Sequence, residues 1–300
     1  MGARPRVFAT RKLPGVALER LAGEVDLEIW PGAEAPAPAA LAKGCRESEG
    51  LLCLLSDRVD AALLAESPRL RVVSSYSVGL DHVDLAAATA RGIPVGFTPG
   101  VLTETTAELA IGLLFAVARR IAEADRQVRS GGWTRAFDPT ALLGRDLHGA
   151  TLGVIGLGAI GQAVALRARA LGMRVLACSR TRRDLPGVEQ VPLAPLLERS
   201  DFVSVHVALT PETRGLLDRE ALGRMRRGAI LVNTARGGIV DEDALVDALR
   251  SGRLGGAALD VFAREPLPPG SPLLDAPNLV LTRGEGSRVT PGNSHGGRCA

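Results

Sequence analysis

Leu152-Gly-Val-Ile-Gly156-Leu-Gly158-Ala-Ile-Gly161 is the stretch that decides how this chain folds. An apolar run, Leu152 to Gly156, leads into the glycines, and Gln162-Ala-Val-Ala-Leu-Arg-Ala-Arg-Ala-Leu171, made of good helix formers, leads out. The pattern is G-x-G-x-x-G between a strand and a helix, the context in which it signals dinucleotide binding. Gly156 is expected to make the tight turn and Gly158 to let a pyrophosphate approach the backbone. Gly161 would let the helix pack on the strand, with the helix N-terminus facing the phosphates. A second apolar strand, Met173 to Cys178, completes the unit.

An NAD site carries Asp or Glu near the end of that second strand, where it holds the ribose hydroxyls. This chain reads Ser179-Arg180-Thr181-Arg182-Arg183 there, with no acid. A hydroxyl and guanidinium groups suit a 2′-phosphate, which Arg grips bidentately. The expected cofactor is therefore NADP(H), held by Ser179, Arg180 and Arg182; a solvated basic turn is the plain alternative.

The same alternation of short apolar runs and helical patterns extends in both directions, as in βαβ units of a doubly wound parallel sheet. Strands are expected at Arg6 to Ala9, Leu27 to Trp30, Gly50 to Leu55, Arg71 to Ser75, Leu152 to Gly156, Met173 to Cys178, Phe202 to Val207, Ala229 to Asn233, Ala257 to Val261 and Leu279 to Thr282. They fall into two groups. A long helix, Thr105 to Arg119, lies between them, with Thr105 and Glu108 at capping-box spacing and Leu109, Leu113 and Val117 at helical spacing. Pro31 to Ala40 and Gly131 to Gly144 read as loops. Asp241 is placed to cap a helix over Ala244 to Leu249 that ends near Gly252.

Composition supports a globular α/β chain: 300 residues, 46% hydrophobic, only 3% aromatic and 35 glycines. Such a core is built from small aliphatic side chains, as in buried parallel sheets. The net charge of +3 is spread without a basic block, and Lys occurs only at Lys12 and Lys43, so neither nucleic acid nor a membrane is an expected partner. With no long apolar run and no apolar leader, a cytoplasmic location is expected. Cys45, Cys53, Cys178 and Cys299 are far apart, which points to free thiols and no metal site.

Asn233-Thr-Ala-Arg236-Gly-Gly-Ile-Val-Asp241 follows a strand, at the end where open α/β sheets bind ligands; taken on spacing alone, Arg236 reads as a structural or surface residue. Further stretches share a pattern with it: Leu54-Leu-Ser-Asp-Arg-Val-Asp60, Ser77-Val-Gly-Leu-Asp-His-Val-Asp84, Thr98-Pro-Gly-Val-Leu-Thr-Glu-Thr-Thr-Ala-Glu108, Leu209-Thr-Pro-Glu-Thr213, and Leu259-Asp-Val-Phe262 followed by Glu265-Pro266. Over residues 50 to 282 this series resembles the D-isomer-specific 2-hydroxyacid dehydrogenases, and within them the glyoxylate and hydroxypyruvate reductases.

The resemblance implies a Rossmann-type dinucleotide domain at about 100–282, inserted into a smaller flavodoxin-like substrate domain at 1–99, and a homodimer acting on a small 2-oxo acid. By family role Arg236 would bind and polarise the substrate, Leu55 would line its site, and Val78 and Gly79 would offer amides to its carboxylate. Asp260 would orient the nicotinamide, and Glu265 would pair with the catalytic His. Thr106, Ala159, Ile160, His206 and Thr234 would complete the cofactor contacts.

After Thr282 the family pattern continues Pro-His-(Ile or Leu)-Gly-Ser, where this chain has Arg283-Gly-Glu-Gly286-Ser. The proton donor's position is Gly284. Residues 283–300 hold five Gly and show no helical periodicity, the composition that a shifted frame in GC-rich coding sequence produces. The expectations are an aberrant, disordered tail in place of a closing helix and impaired turnover. A catalytically silent NADP-binding protein or a truncated product is the alternative. His82 and His206 read as packing or binding residues, and His148 as part of a surface turn.

Overall fold

The computed structural model describes residues 3–284 and 286. The expectations for the tail beyond them, a disordered segment and a missing closing helix, lie outside the described residues.

One compact unit ends at Val101. It runs β1 (Arg6–Ala9), α1 (Ala17–Glu24), β2 (Asp26–Ile29), α2 (Pro38–Glu47), β3 (Gly50–Cys53), α3 (Ala61–Ala65), β4 (Val72–Ser75), α4 (Leu85–Ala90) and β5 (Val95–Gly96). The strands form a parallel sheet in the order β2-β1-β3-β4-β5, the flavodoxin-like winding, whose direction reverses between β1 and β3. Phe8, Leu51, Cys53 and Val73 from the strands pack with Leu41, Cys45, Leu63, Leu64 and Ala88 from the helices. Asp60 and Asp84 cap α3 and α4 by accepting from the amides of Leu63 and Ala87, each at 2.9 Å.

The second unit begins at Leu102. Two helices, α5 (Thr103–Ala118) and α6 (Ile121–Arg129), precede an irregular crossover. Then come β6 (Thr151–Ile155), α7 (Ala159–Ala170), β7 (Arg174–Cys178), β8 (Val188–Gln190), α8 (Leu193–Arg199), β9 (Phe202–Val205), α9 (Arg219–Arg224), β10 (Ala229–Asn233), α10 (Glu242–Arg250), β11 (Leu254–Leu259) and β12 (Leu279–Leu281). All seven strands are parallel, in the order β12-β11-β10-β9-β6-β7-β8. This is Rossmann winding, with its switch point between β6 and β9. Side chains alternate across the sheet, as a strand's two-residue period requires. Ile155, Val203, Val205, Leu231 and Leu259 meet α8, α9 and α10 on one face. Leu152, Val154, Phe202, Ile230 and Val232 meet α5 and α7 on the other.

The strands expected from sequence are present within a few residues. Two edge strands, β5 and β8, are too short for their pattern to be read. The helix expected from Thr105 begins at Thr103, and its N-cap, Leu102, uses no side chain. The proposed capping box does not form there: Glu104 and Glu108 both face Arg167 of α7, at 2.5 and 3.6 Å, so Glu108 serves a partner on another helix. The loop expected through Ala40 ends earlier, because Pro38 opens α2 with its fixed φ in the first turn. Asp241 caps α10 as expected, accepting from Ala244 N at 3.0 Å, and the chain leaves the helix through Gly252 at φ +66°.

Candidate functional site

The three glycines of the loop after β6 are needed for three different reasons. Gly156 turns at φ +98°, and a Cβ there would lie 2.5 Å from the His206 carbonyl oxygen, so the loops after β6 and β9 touch at the switch point. A Cβ on Gly161 would overlap the Gly156 carbonyl, which fixes how closely α7 packs on β6. Around Gly158, the N-cap of α7, a Cβ would meet no described residue within 4 Å. With no side chain capping the helix, the amides at Ala159 and Ile160 are approachable. That combination fits a pyrophosphate.

Beyond the end of β7, Ser179 is half-buried while Arg180, Arg182 and Arg183 are exposed. The turn is anchored from the edge strand: Arg183 N donates to Gln190 Oε1 at 3.1 Å, and Gln190 Nε2 donates to Arg183 O. Ser179, Arg180 and Arg182 line one groove with Cys178 and Gln190. The charge of Arg180 reaches Glu212, whose carboxyl is held below its usual range mainly by the Thr210 hydroxyl and in smaller part by Arg180.

His206 follows β9, and its Nε2 lies 2.8 Å from Ser204 Oγ. Burial pushes this imidazole down to about 4, so it is neutral at pH 7 and is no source of protons there. The sign for stability follows: between pH 6.5 and about 4 the unfolded chain binds a proton that the native chain refuses. His206 should therefore cost up to about 3 kcal/mol as pH falls through that window and nothing above it. Denaturant melts of the parent and His206→Gln at pH 7 and pH 4 should show the gap between them moving by that amount in favour of the variant; a constant gap would refute it.

At the end of β10, Asn233 is fully buried and braces the turn that carries Arg236: Asn233 Nδ2 donates to Arg236 O at 2.9 Å, and Ala235 N donates to Asn233 Oδ1 at 3.0 Å. The Arg236 guanidinium is half-buried and donates to Ala235 O at 2.8 Å. Thr234 Oγ1 is buried without a hydrogen-bond partner among the described residues, a polar atom available to a ligand. A Cβ on Gly237 would overlap the backbone of Phe262 and Ala263, so the Arg236 turn packs directly on the segment that leads to Glu265.

Asp260, at the end of β11, is buried and ties down the chain after β12. Thr282 Oγ1 donates to its Oδ1 at 2.5 Å, Gly286 N donates to Oδ2 at 3.0 Å, and Gly284 N donates to its backbone oxygen at 2.9 Å. Thr106 of α5 joins this cluster by donating to Gly286 O at 2.8 Å. Glu265 is exposed and accepts from Phe262 N at 2.9 Å. Its neighbour Glu242 accepts from Ala263 N and has its carboxyl pushed up by burial, with Asp243 and Glu265 adding repulsion. Gly284 stands at φ +74°, and a Cβ there would meet no described residue within 4 Å.

In the first unit, Leu55 is 47% exposed on a turn after β3. Sequence reasoning passed over what holds that turn. Asp57, fully buried, accepts from Thr10 Oγ1 and, at 2.7 Å, from Leu54 N, while Arg11 lies 3.7 Å from its other oxygen. This cluster sits where the winding reverses between β1 and β3, and its only sequence signal was Asp57 within the Leu54–Asp60 motif. Val78 and Gly79 are half-buried on the loop after β4, and neither amide donates to any described residue. Among the described residues no group of three or more His, Cys, Asp or Glu could hold a metal ion, and no helix is long and apolar enough to cross a membrane.

Residues 111–283 match the D-isomer specific 2-hydroxyacid dehydrogenase, NAD binding domain. The chain belongs to the D-isomer-specific 2-hydroxyacid dehydrogenase family. Within the family it groups with the glyoxylate reductases: the one from Korarchaeum cryptofilum is 49% identical over 282 residues, covering 93% of this chain and 85% of the relative. A Thermus thermophilus protein of known crystal structure superposes with a TM-score of 0.87 at 52% identity, over 94% of this chain and 90% of that one. An NADPH-dependent glyoxylate/hydroxypyruvate reductase from Sinorhizobium meliloti, solved with NADP and malonate, gives a TM-score of 0.85 at 35% identity, over 96% and 88%.

Proposed function

We propose that this chain is a cytoplasmic reductase that uses NADP(H) to convert glyoxylate or hydroxypyruvate to the D-2-hydroxy acid, slowed by glycine at position 284. The observation that carries the cofactor reading is the acid-free turn Ser179-Arg180-Thr181-Arg182 beside an open Gly158 cradle. Gly156, Gly158, Gly161, Ala159 and Ile160 would receive the pyrophosphate, Ser179, Arg180 and Arg182 the 2′-phosphate, and Thr106, His206, Thr234 and Asp260 the rest of the cofactor. When bound, NADPH supplies a hydride to the carbonyl carbon of the substrate.

The chain's own groups then have distinct tasks. Arg236 holds the 2-oxo acid and draws electron density from its carbonyl; Leu55 shapes the substrate site, and Val78 and Gly79 donate amides to a carboxylate. Glu265 is a positioning residue for an imidazolium, which a carboxylate neighbour favours. With Gly284 in place of that histidine, protonation of the alkoxide falls to water, at a cost of about 10²–10⁴ in rate. Free thiols at Cys45, Cys53 and Cys178 suit a reducing compartment. Exposed Ile121, Val128, Trp133, Phe137 and Leu143 support a homodimer through the second unit, which sedimentation equilibrium would show as twice the 31.3 kDa chain mass.

The deciding experiment compares NADPH with NADH. Glyoxylate should drive slow NADPH oxidation, and the Arg180→Ala, Arg182→Ala pair should weaken NADPH binding about 10- to 100-fold while leaving NADH unchanged. A preference for NADH would overturn the cofactor reading. NADPH binding with no turnover would select the catalytically silent alternative, which Gly284 favours.

A further inference from the structure

The loop that carries Val78 and Gly79 is held from beneath by a chain of hydroxyls ending on a histidine. Ser77 Oγ donates to Gly79 O at 2.6 Å and lies 2.6 Å from Ser75 Oγ, which in turn lies 2.9 Å from His82 Nε2. A hydroxyl has one proton to give. The Ser77 proton is committed to the Gly79 carbonyl, so Ser77 Oγ must accept from Ser75. The Ser75 proton is then committed as well, and Ser75 must accept from His82, whose Nε2 therefore carries hydrogen. Ser75 and Ser77 are buried, so water does not compete for these bonds.

A trans peptide aims its N–H opposite to its C=O. Thr98 donates to Ser77 O through both N and Oγ1, each at 2.9 Å, which fixes the plane bearing the Val78 amide. Ser77 fixes the plane bearing the Leu80 amide through Gly79 O. The Val78–Gly79 peptide is left between two pinned planes, and none of the three successive amides donates to a described residue.

We infer that Thr98 and the one-way relay His82 to Ser75 to Ser77 to Gly79 O are positioning residues that hold these amides ready for a carboxylate. The role rests on the 2-oxo acid reading above; the direction of the relay does not. Long-range proton–nitrogen NMR on ¹⁵N-histidine protein, with His82 assigned from its loss in His82→Gln, should show Nε2 protonated. Titration of glyoxylate into protein saturated with NADP⁺, which has no hydride to give, should show Ser77→Ala and Thr98→Val weakening glyoxylate about 10-fold. The NADP⁺ affinity should stay within about 2-fold, a split that a general loosening of the fold would not produce. His82→Ala should weaken glyoxylate comparably, and His82→Gln, which keeps an N–H donor, should recover most of the affinity.

An Nδ1–H tautomer overturns the relay, and unchanged glyoxylate affinity in Ser77→Ala overturns its role. An unsubstituted chain that binds NADP⁺ but no glyoxylate, with Nε2 protonated, upholds the relay while overturning both its carboxylate role and the proposed substrate class.

Discussion

Exchanging three consecutive residues after β12, by Arg283→Pro, Gly284→His and Glu285→Ile together, should raise glyoxylate-dependent NADPH oxidation about 10²- to 10⁴-fold, the usual worth of a positioned general acid. The exchange is local because its flanks are already anchored: Thr282 and Gly286 hold the two oxygens of Asp260, and Gly286 and Ser287 already match the family pattern. Gly284→His alone should deliver less. Position 284 stands at φ +74°, where a side chain costs about 1–2 kcal/mol, so the backbone has to leave its present turn before an imidazole can be placed. With the imidazole beside Glu265, the rate should fall as pH rises through the pKa of the imidazolium, whereas the parent chain should lack that limb. Steady-state rates against pH for the parent, the single variant and the triple variant test this. A parent as fast as the triple variant would show that another group serves as proton donor.

The fold was legible wherever a segment was long enough to show a period and had its partners nearby in sequence. The glycine loop declared both its strand and its helix, and Asp241 stands three residues from the amide it caps. Two edge strands were hidden, because the two residues of β5 and three of β8 have no periodicity to read. The capping box failed for a different reason. Its spacing was right, but Arg167, 59 or more residues away in the chain, decides which way Glu104 and Glu108 turn, and that pairing belongs to tertiary structure.

The candidate site divides along the same line. Residues named by motif could be quoted from sequence, yet what holds them could not. Asp57 meets Thr10 across 47 residues, and Thr98 reaches Ser77 across 21. Ser75, Ser77 and His82 are only a few positions apart, but nothing in their spacing says which hydroxyl gives a proton and which receives one. The NADP(H) reading rests on an absence at one strand end, a feature that is local by nature.

Gly237→Ala should be among the most damaging single substitutions in the chain, and Gly238→Ala, one residue on, should be nearly silent. A Cβ at 237 would overlap the backbone of Phe262 and Ala263, and backbone cannot swing aside as a side chain can. At 238 it would first meet Arg214 Nη1 at 3.3 Å, the far end of a flexible side chain. Gly237 is not among the residues at positive φ, so the difference is one of packing and not of backbone strain. The displaced turn also carries Arg236, and the Asn233 brace leaves no slack: Asn233 is buried and gives both ends of its amide to the turn. Relieving the overlap must break that brace or push Phe262 and Ala263 away, taking with them the amides that Glu265 and Glu242 accept from. The expected loss for Gly237→Ala is about 4 kcal/mol, in the range of severe core overpacking, against less than about 1 kcal/mol for Gly238→Ala. Denaturant melts of the two variants measure the difference directly. In the triple variant described above, Gly237→Ala should also abolish turnover under conditions where the protein remains folded, because Arg236 is moved; equal stability of the two alanine variants would refute the packing argument.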